Sequence, residues 1–209
     1  MKVGIIGTGK MARGFSAALA SHHEVILGSR TPDKKAGVGS KLGVGVTTYR
    51  DTAANADVVV LTVPWSAMDS VLPELGPLTG KVVVDVSFPY SKAERDTLTG
   101  TSTAEEIQRR LPKARVCKGW NHVHHPVLTN PVVNGIESSV LIAGDDARAK
   151  KTVARLATDM RFHPVDVGPL RATRELERLV AIMLFVRLGP FRVLTADWEL
   201  PIPAGTTFG

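Results

Sequence analysis

The chain is poor in cysteine and in aromatic residues: its 209 residues include one cysteine, Cys117, and an aromatic fraction of 5%. A single cysteine cannot form a disulfide within the chain, which argues against a disulfide-stabilised secreted scaffold. We therefore interpret Cys117, which lies in a predicted strand, as a small buried apolar residue. An ordinary apolar core must hold the fold, and a hydrophobic fraction of 44% in a chain of this length is sufficient for one.

Long apolar runs are also missing from the chain. The most apolar stretch, residues 179–185, is followed at once by Arg187 and Gly189-Pro190, so it is too short to cross a bilayer. The segment Met1–Ile6 already has the pattern of a strand rather than that of a signal peptide. We therefore expect a cytoplasmic protein without a membrane partner.

The formal net charge is +6, from 26 basic and 20 acidic residues. The basic residues are scattered, and doublets such as Lys34-Lys35 and Arg109-Arg110 fall on predicted helices. There is no arginine-rich run and no basic stripe interleaved with aromatic residues, which nucleic-acid-binding surfaces usually have. An anionic small ligand explains the excess charge more simply, and we predict no nucleic-acid partner.

Short β-branched runs alternate with helical stretches, the pattern of a doubly wound, mostly parallel α/β sheet of the Rossmann type. We predict one domain over residues 1–209, with a dinucleotide-binding core at 1–120 and a C-terminal part at 121–209. Gly37 and Gly39, with Gly43 directly after, make Pro32–Leu42 a poor helix, which we expect to be short and mobile. A long helix is predicted from Pro169 to Leu188, and a short C-terminal arm of extended chain follows it. The predicted strands are Val3–Ile6, Val25–Leu27, Val46–Thr48, Val58–Val63, Val82–Val86, Arg115–Lys118, Ser139–Ala143 and His163–Val167.

A glycine-rich turn lies between the first predicted strand and the first predicted helix. Its first glycine, Gly7, permits a tight turn, and its second, Gly9, lets the backbone approach a pyrophosphate. The small Ala12 allows the helix to pack closely on the strand, and the helix N-terminus favours an anion. The alternative is a purely structural glycine turn, but its position in a βαβ unit favours dinucleotide binding. We therefore predict that the turn Gly7-Thr8-Gly9-Lys10-Met11-Ala12 holds a diphosphate with its free N–H groups.

The end of the second predicted strand indicates which dinucleotide binds. NAD-binding proteins usually place a carboxylate there for the ribose 2′-hydroxyl. This chain has Ser29, Arg30 and Thr31 at that point, with Lys34 one turn further. A guanidinium can bind a 2′-phosphate with two parallel hydrogen bonds, and an ammonium adds charge. We therefore predict NADP(H) as the cofactor, with a solvated basic loop as the alternative.

Six short pieces and three single residues occur in order from residue 1 to about 188: Gly7-Thr8-Gly9, Gly28-Ser29-Arg30, Thr62-Val63-Pro64-Trp65, Lys118-Gly119-Trp120-Asn121, Ala143-Gly144-Asp145-Asp146 and Asp166-Val167-Gly168-Pro169-Leu170, with Arg174, Leu176 and Glu177. Read together, they resemble the family of F420-dependent NADP oxidoreductases. The resemblance implies a homodimer in which NADP(H) exchanges a hydride with coenzyme F420, a deazaflavin, as the second small-molecule redox substrate.

The resemblance also implies roles for single residues. Thr8, Gly9, Lys10 and Met11 would touch the pyrophosphate, and Ser29, Arg30 and Lys34 would touch the 2′-phosphate. Val63, Pro64 and Ser87 would flank the nicotinamide and its ribose, and Asn121 and the residues after it would face the second ligand. Trp65, at the cofactor edge, is either core or a stacking platform.

Histidines follow Asn121 in this chain, in the run His122-Val123-His124-His125. If the run is extended, His122 and His124 share one face and His125 lies on the other. Two imidazoles lack the third ligand that a zinc site needs, so we predict no metal. Because histidine titrates near neutral pH, His122 and His124 are candidate catalytic proton donors, with an ordinary role in a loop or cap as the alternative.

Three functions remain open from the sequence. The first is hydride transfer between NADP(H) and a deazaflavin, which needs two juxtaposed binding surfaces rather than acid–base groups. The second is NADPH-dependent reduction of a small carbonyl or imine, with His122 or His124 supplying the proton. The third is a dinucleotide sensor without turnover.

Overall fold

The computed structural model describes residues 1–89, 98–133 and 135–188. Within these residues, the strands form one eight-stranded sheet and a separate two-stranded antiparallel sheet. The strands are β1 (Lys2–Ile6), β2 (Glu24–Gly28), β3 (Gly45–Thr47), β4 (Val58–Leu61), β5 (Val82–Asp85), β6 (Arg115–Lys118), β7 (Val132–Val133), β8 (Ile136–Glu137), β9 (Ser139–Gly144) and β10 (His163–Gly168). The α-helices are α1 (Lys10–Leu19), α2 (Pro32–Leu42), α3 (Tyr49–Asn55), α4 (Met68–Val71), α5 (Thr103–Arg110), α6 (Ala147–Asp159) and α7 (Thr173–Leu188).

The large sheet has the strand order β3-β2-β1-β4-β5-β6-β9-β10. Neighbouring strands are parallel except for β6 and β9, which pair antiparallel. The first six strands have the order of a dinucleotide-binding Rossmann fold, whose ligand lies where the strand order reverses. Here that point is the crevice between the carboxyl ends of β1 and β4. The predicted fold class is therefore confirmed.

Two apolar layers cover the sheet, as buried parallel strands require. In β4, Val58 and Val60 contribute to one layer, while Val59 and Leu61 contribute to the other. The first layer includes residues of α1 and α6, and the second includes residues of α3, α4 and α5. Cys117 is fully buried in the first layer, as expected, and burial raises the pKa of its thiol to about 12. Among the described residues, no helix combines the length and the apolar character that a membrane span requires.

The expectation that Pro32–Leu42 forms only a short helix is wrong, because α2 is continuous over all eleven residues. Pro32 begins the helix, and Gly43 ends it in the left-handed conformation at φ 66°. A Cβ on Gly39 would lie 2.5 Å from the Val44 carbonyl oxygen, so this glycine permits close packing of α2 on the segment leading into β3. Gly39 therefore serves the packing of this helix, and Gly43 serves its ending.

The C-terminal elements differ from expectation only in detail. The segment predicted as one helix from Pro169 is a 3-10 turn, Leu170–Ala172, followed by α7. The predicted extension after Leu188 lies outside the described residues. The histidine run is not extended: His122 lies in a turn, and His125 begins a 3-10 turn with Pro126 in its first positions. The expectation that His122 and His124 share one strand face is therefore wrong.

Candidate active site

The glycine turn has the geometry that its sequence predicts. Gly7 has a φ of 122°, a conformation that L side chains rarely adopt, and its N–H donates to the Gly28 carbonyl at 3.0 Å. A Cβ at Gly7 would lie 2.8 Å from Thr62 Oγ1. The Thr62 hydroxyl in turn donates to the Ile6 carbonyl at 2.7 Å, which joins the ends of β1 and β4. The first glycine is therefore required by the fold itself.

The second glycine faces open space. Gly9 caps α1 with a φ of −76°, and a Cβ built on it would meet nothing within 4 Å. The first turn of α1 contains Lys10 and no acidic residue, and no side chain caps its N–H groups. Ala12 is fully buried against the sheet. An exposed, uncapped helix N-terminus without a carboxylate suits a diphosphate.

The other predicted pyrophosphate-binding residues lie on this turn or on the first turn of α1. The carbonyl of Thr8 accepts a hydrogen bond from Arg13 Nε at 3.1 Å, which braces the turn. Met11 is half-buried and packs against the apolar layer beneath α1. The structure thus brings Gly7, Thr8, Gly9, Lys10 and Met11 together at the carboxyl end of β1, and their role in binding stays a prediction.

The residues after β2 form a basic corner beside the turn. Ser29 is buried, and its hydroxyl accepts the N–H of Thr31 at 3.1 Å. Arg30 and Lys34 are exposed, the latter in the first turn of α2. Burial raises the pKa of Tyr49, and the charge of the adjacent Arg30 with its hydrogen bond to Tyr49 partly opposes this shift. The corner keeps a guanidinium and an ammonium at the surface, as a 2′-phosphate site needs.

The segment after β4 forms the opposite wall of the crevice. Val63 is half-buried and Pro64 is exposed. The guanidinium of Arg110 lies 5.5 Å from the centre of the half-buried Trp65 ring, in a cation–π contact. Arg110 therefore shares this ring with any ligand that would stack on it.

Ser87 follows β5 at the same edge of the sheet and is held at both of its backbone groups. Its N–H donates to Asp85 Oδ1 at 2.8 Å, and its carbonyl accepts from Lys118 Nζ at 3.1 Å. Its hydroxyl is buried and has no hydrogen-bond partner within the described part of the chain. The backbone beside the predicted nicotinamide site is therefore fixed by buried charges.

The segment after β6 carries the amide of Asn121 and the imidazoles of three histidines. The contacts that these groups make were not predicted from the sequence. Asn121 Nδ2 donates to the Leu176 carbonyl at 3.2 Å, which ties this segment to α7. His122 Nε2 lies 3.1 Å from the Ser139 carbonyl, so we assign the ring proton to Nε2. Burial lowers the pKa of His122, and the hydrogen bond to Ser139 only partly opposes this. The rings of His124 and His125 stack, with centroids 4.6 Å apart.

A fully buried charged cluster, formed by Asp85, Thr103, Lys118 and Glu177, was not predicted from the sequence. Lys118 Nζ donates to Asp85 Oδ2 at 2.7 Å and to Thr103 Oγ1 at 2.6 Å, and it lies 2.8 Å from Glu177 Oε1. Burial by itself lowers the pKa of Lys118, but the two carboxylates outweigh this, so the pKa lies above its ordinary value. The available signal was an acid and a base, Asp85 and Lys118, each ending an otherwise largely apolar strand. The sheet pairs them in register.

The family model described as "NADP oxidoreductase coenzyme F420-dependent" matches residues 2–89. Metalloreductase STEAP3 of Rattus norvegicus is 32% identical over 96% of this chain, which spans 38% of that protein's length. F420-dependent NADP reductase of Methanocaldococcus jannaschii is 29% identical, over 88% of this chain and 91% of that protein. A crystal structure from Arthrobacter sp. FB24, of a candidate F420-dependent NADP-reductase, has a TM-score of 0.80 and 29% identity. That likeness covers 93% of this chain and 95% of the other.

Proposed function

Because the chain belongs to the family of coenzyme F420-dependent NADP oxidoreductases, we propose that it exchanges a hydride between NADP(H) and the deazaflavin F420. The observation that carries this proposal is the open, uncapped N-terminus of α1 at the crevice between β1 and β4, with a basic corner beside it. Two further facts support the choice of F420. The methanogen reductase that carries this name aligns along nearly its whole length, whereas the chain spans a minority of the rat metalloreductase.

The residues present fit NADP(H). The N–H groups at the start of α1 would hold the diphosphate, where Gly9 leaves room for it and Lys10 adds a positive charge. Arg30 and Lys34 would hold the 2′-phosphate, and the described end of β2 offers no carboxylate to repel it. NADP(H), when bound, supplies or accepts the hydride.

At the nicotinamide end, the residues of the chain would position the nicotinamide ring and shield it. Val63 and Pro64 would form one wall, and Ser87 would form the floor at the end of β5. Lys118 and Asp85 hold the backbone of Ser87, so the floor cannot shift without breaking buried charged hydrogen bonds. Hydride transfer depends steeply on the distance and alignment of the two rings, and a rigid floor favours both.

The hydrogen bond and the lowered pKa of His122 favour a deazaflavin over a small carbonyl or imine as the second substrate. A proton donor for such a substrate needs a reachable proton and a pKa near the working pH. The ring of His122 is directed at the Ser139 carbonyl, and burial lowers its pKa. We therefore propose that Asn121, His122 and His124 line the surface that binds the second ligand, F420. Their contribution is the shape of that surface rather than acid catalysis.

We also propose that the protein is a homodimer formed through α7. Leu179 and Ile182 are exposed on this helix to 40% and 60%, and a spacing of three residues places them on one face. An isologous contact between two copies of this face would cover both side chains.

The test is anaerobic mixing of the protein with NADPH and oxidised F420, alongside a panel of small carbonyls and imines. The proposal predicts loss of the deazaflavin absorption in step with NADPH oxidation, and little turnover with the panel. Turnover with a carbonyl or imine alone would replace the proposed substrate, while tight NADPH binding without any turnover would favour a sensor.

A further inference from the structure

The buried cluster contains more negative than positive charge. Asp85, Lys118 and Glu177 are each 0% exposed, and one ammonium faces two carboxylates. The pKa of Lys118 is raised, so this residue remains charged at neutral pH. With both carboxylates counted in their ionised form, the formal charge of the cluster is −1, and none of its three charged side chains is exposed to solvent.

The two carboxylates are not equally compensated. Both oxygens of Asp85 accept hydrogen bonds, Oδ1 from the Ser87 N–H and Oδ2 from Lys118 Nζ. In Glu177, Oε1 accepts from the Thr103 N–H at 2.9 Å and lies 2.8 Å from Lys118 Nζ. The single hydroxyl proton of Thr103 goes to one carboxylate at a time, since Thr103 Oγ1 lies 2.6 Å from Asp85 Oδ2 and 2.7 Å from Glu177 Oε1. The Oε2 atom of Glu177 is buried and has no partner within the described part of the chain. Glu177 is therefore the less fully hydrogen-bonded of the two carboxylates.

Stability alone does not account for this arrangement. A buried ion pair is often no more stabilising than apolar residues of similar size, and an uncompensated buried charge is costly. The cluster lies directly behind Ser87, to which it contributes two hydrogen bonds. Ser87 is the proposed floor of the nicotinamide site, so the surplus charge lies behind that floor.

We propose that the negative charge of Glu177 biases the site towards the oxidised cofactor, and that it acts electrostatically from the buried cluster behind Ser87 rather than by contact with the cofactor. The inference rests on the proposed function. The nicotinamide ring carries a positive charge in NADP+ and none in NADPH, so a fixed negative charge stabilises the oxidised form selectively. The phosphates are identical in the two forms, so the effects of Lys10, Arg30 and Lys34 largely cancel in the ratio of the two affinities.

The test is the ratio Kd(NADP+)/Kd(NADPH), measured by calorimetry for the wild-type protein and Glu177→Gln. Glutamine keeps an acceptor at Oε1 for Thr103 and Lys118, and it removes the surplus charge. Because a buried unit charge acts through an effective dielectric well below that of water, the ratio should rise by at least about threefold. A tenfold rise would equal about 30 mV in the potential of the bound two-electron couple.

Two further variants make the result decisive. Glu175→Gln removes an exposed carboxylate of the same helix, which pairs with Arg178, and it should leave the ratio unchanged. Asp85→Asn removes the other buried charge and should raise the ratio as Glu177→Gln does, which covers the case that Glu177→Gln does not fold. A folded Glu177→Gln protein with the wild-type ratio, or with both affinities reduced equally, overturns the inference and leaves the proposed function standing. A wild-type protein that binds neither NADP+ nor NADPH would contradict both the inference and the proposed function.

Discussion

Replacing Gly9 by alanine should separate cofactor binding from stability. The Cβ that this change adds meets nothing within 4 Å, and the backbone at φ −76° accepts any L residue. The free energy of unfolding should therefore fall only slightly, since loss of glycine from the N-cap of α1 costs a few tenths to about 1 kcal/mol. The same methyl group lies where the diphosphate must approach the helix N–H groups, so NADPH affinity should fall by at least about tenfold, the effect of roughly 1.4 kcal/mol.

Gly7→Ala is the matched control at the other glycine of the turn. A Cβ there lies 2.8 Å from Thr62 Oγ1, and alanine must also adopt a φ of 122°. Backbone strain of this kind costs about 1–3 kcal/mol. For a chain of this length that corresponds to a fall in Tm of roughly 2–12 °C.

Thermal melting of the apo proteins and calorimetric titration with NADPH measure the two effects. The expected pattern is a Tm within about 4 °C of wild type with weak binding for Gly9→Ala, and a clearly lower Tm for Gly7→Ala. A Gly9→Ala protein that binds NADPH with wild-type affinity would refute the placement of the diphosphate at the start of α1.

Three further predictions concern the other surfaces of the site. Wild-type protein should bind NADPH at least about tenfold more tightly than NADH. Arg30→Ala should remove most of this preference while changing NADH affinity little, because the 2′-phosphate contact is the one cofactor contact that this change removes; equal wild-type affinities in calorimetry would contradict this. His122→Ala and His124→Ala should each keep hydride transfer to F420 within about tenfold and mainly change F420 affinity, whereas a fall in kcat of about 10²–10⁴ would identify a general acid. Light scattering at micromolar concentration should give twice the chain mass of 22.4 kDa, and a double change of Leu179 and Ile182 to glutamate should give the monomer; a monomeric wild type would exclude the dimer.

The features that the sequence predicts well are local ones. The strands β1, β4 and β5 are short apolar runs that must be buried on both faces, so their positions follow from composition alone. The Gly7–Gly9 turn and the basic corner at Arg30 follow from their distance to these strands within one βαβ unit. The backbone geometry of the turn then agrees with the expectation at both glycines.

The features that could not be predicted depend on contacts between distant segments. Gly39 lowers intrinsic helix propensity, but in the fold it lets α2 approach the backbone at Val44, and that contact outweighs the propensity. The direction of His122 depends on the Ser139 carbonyl, which comes from β9, seventeen residues later. The buried cluster requires Glu177 of α7 to reach the paired ends of β5 and β6, and no local pattern indicates such a meeting.

The most direct test of the account follows a labelled hydride through one turnover. The protein is mixed anaerobically with oxidised F420 and NADPH deuterated at C4 of the nicotinamide, in both stereochemical forms. The account predicts that one of the two forms delivers its deuterium to a carbon of the reduced deazaflavin, seen as a mass increase of about one unit, because two juxtaposed rings exchange the hydride directly. Reduced deazaflavin without deuterium from either form, or no reduction by a protein that binds NADPH tightly, would contradict it.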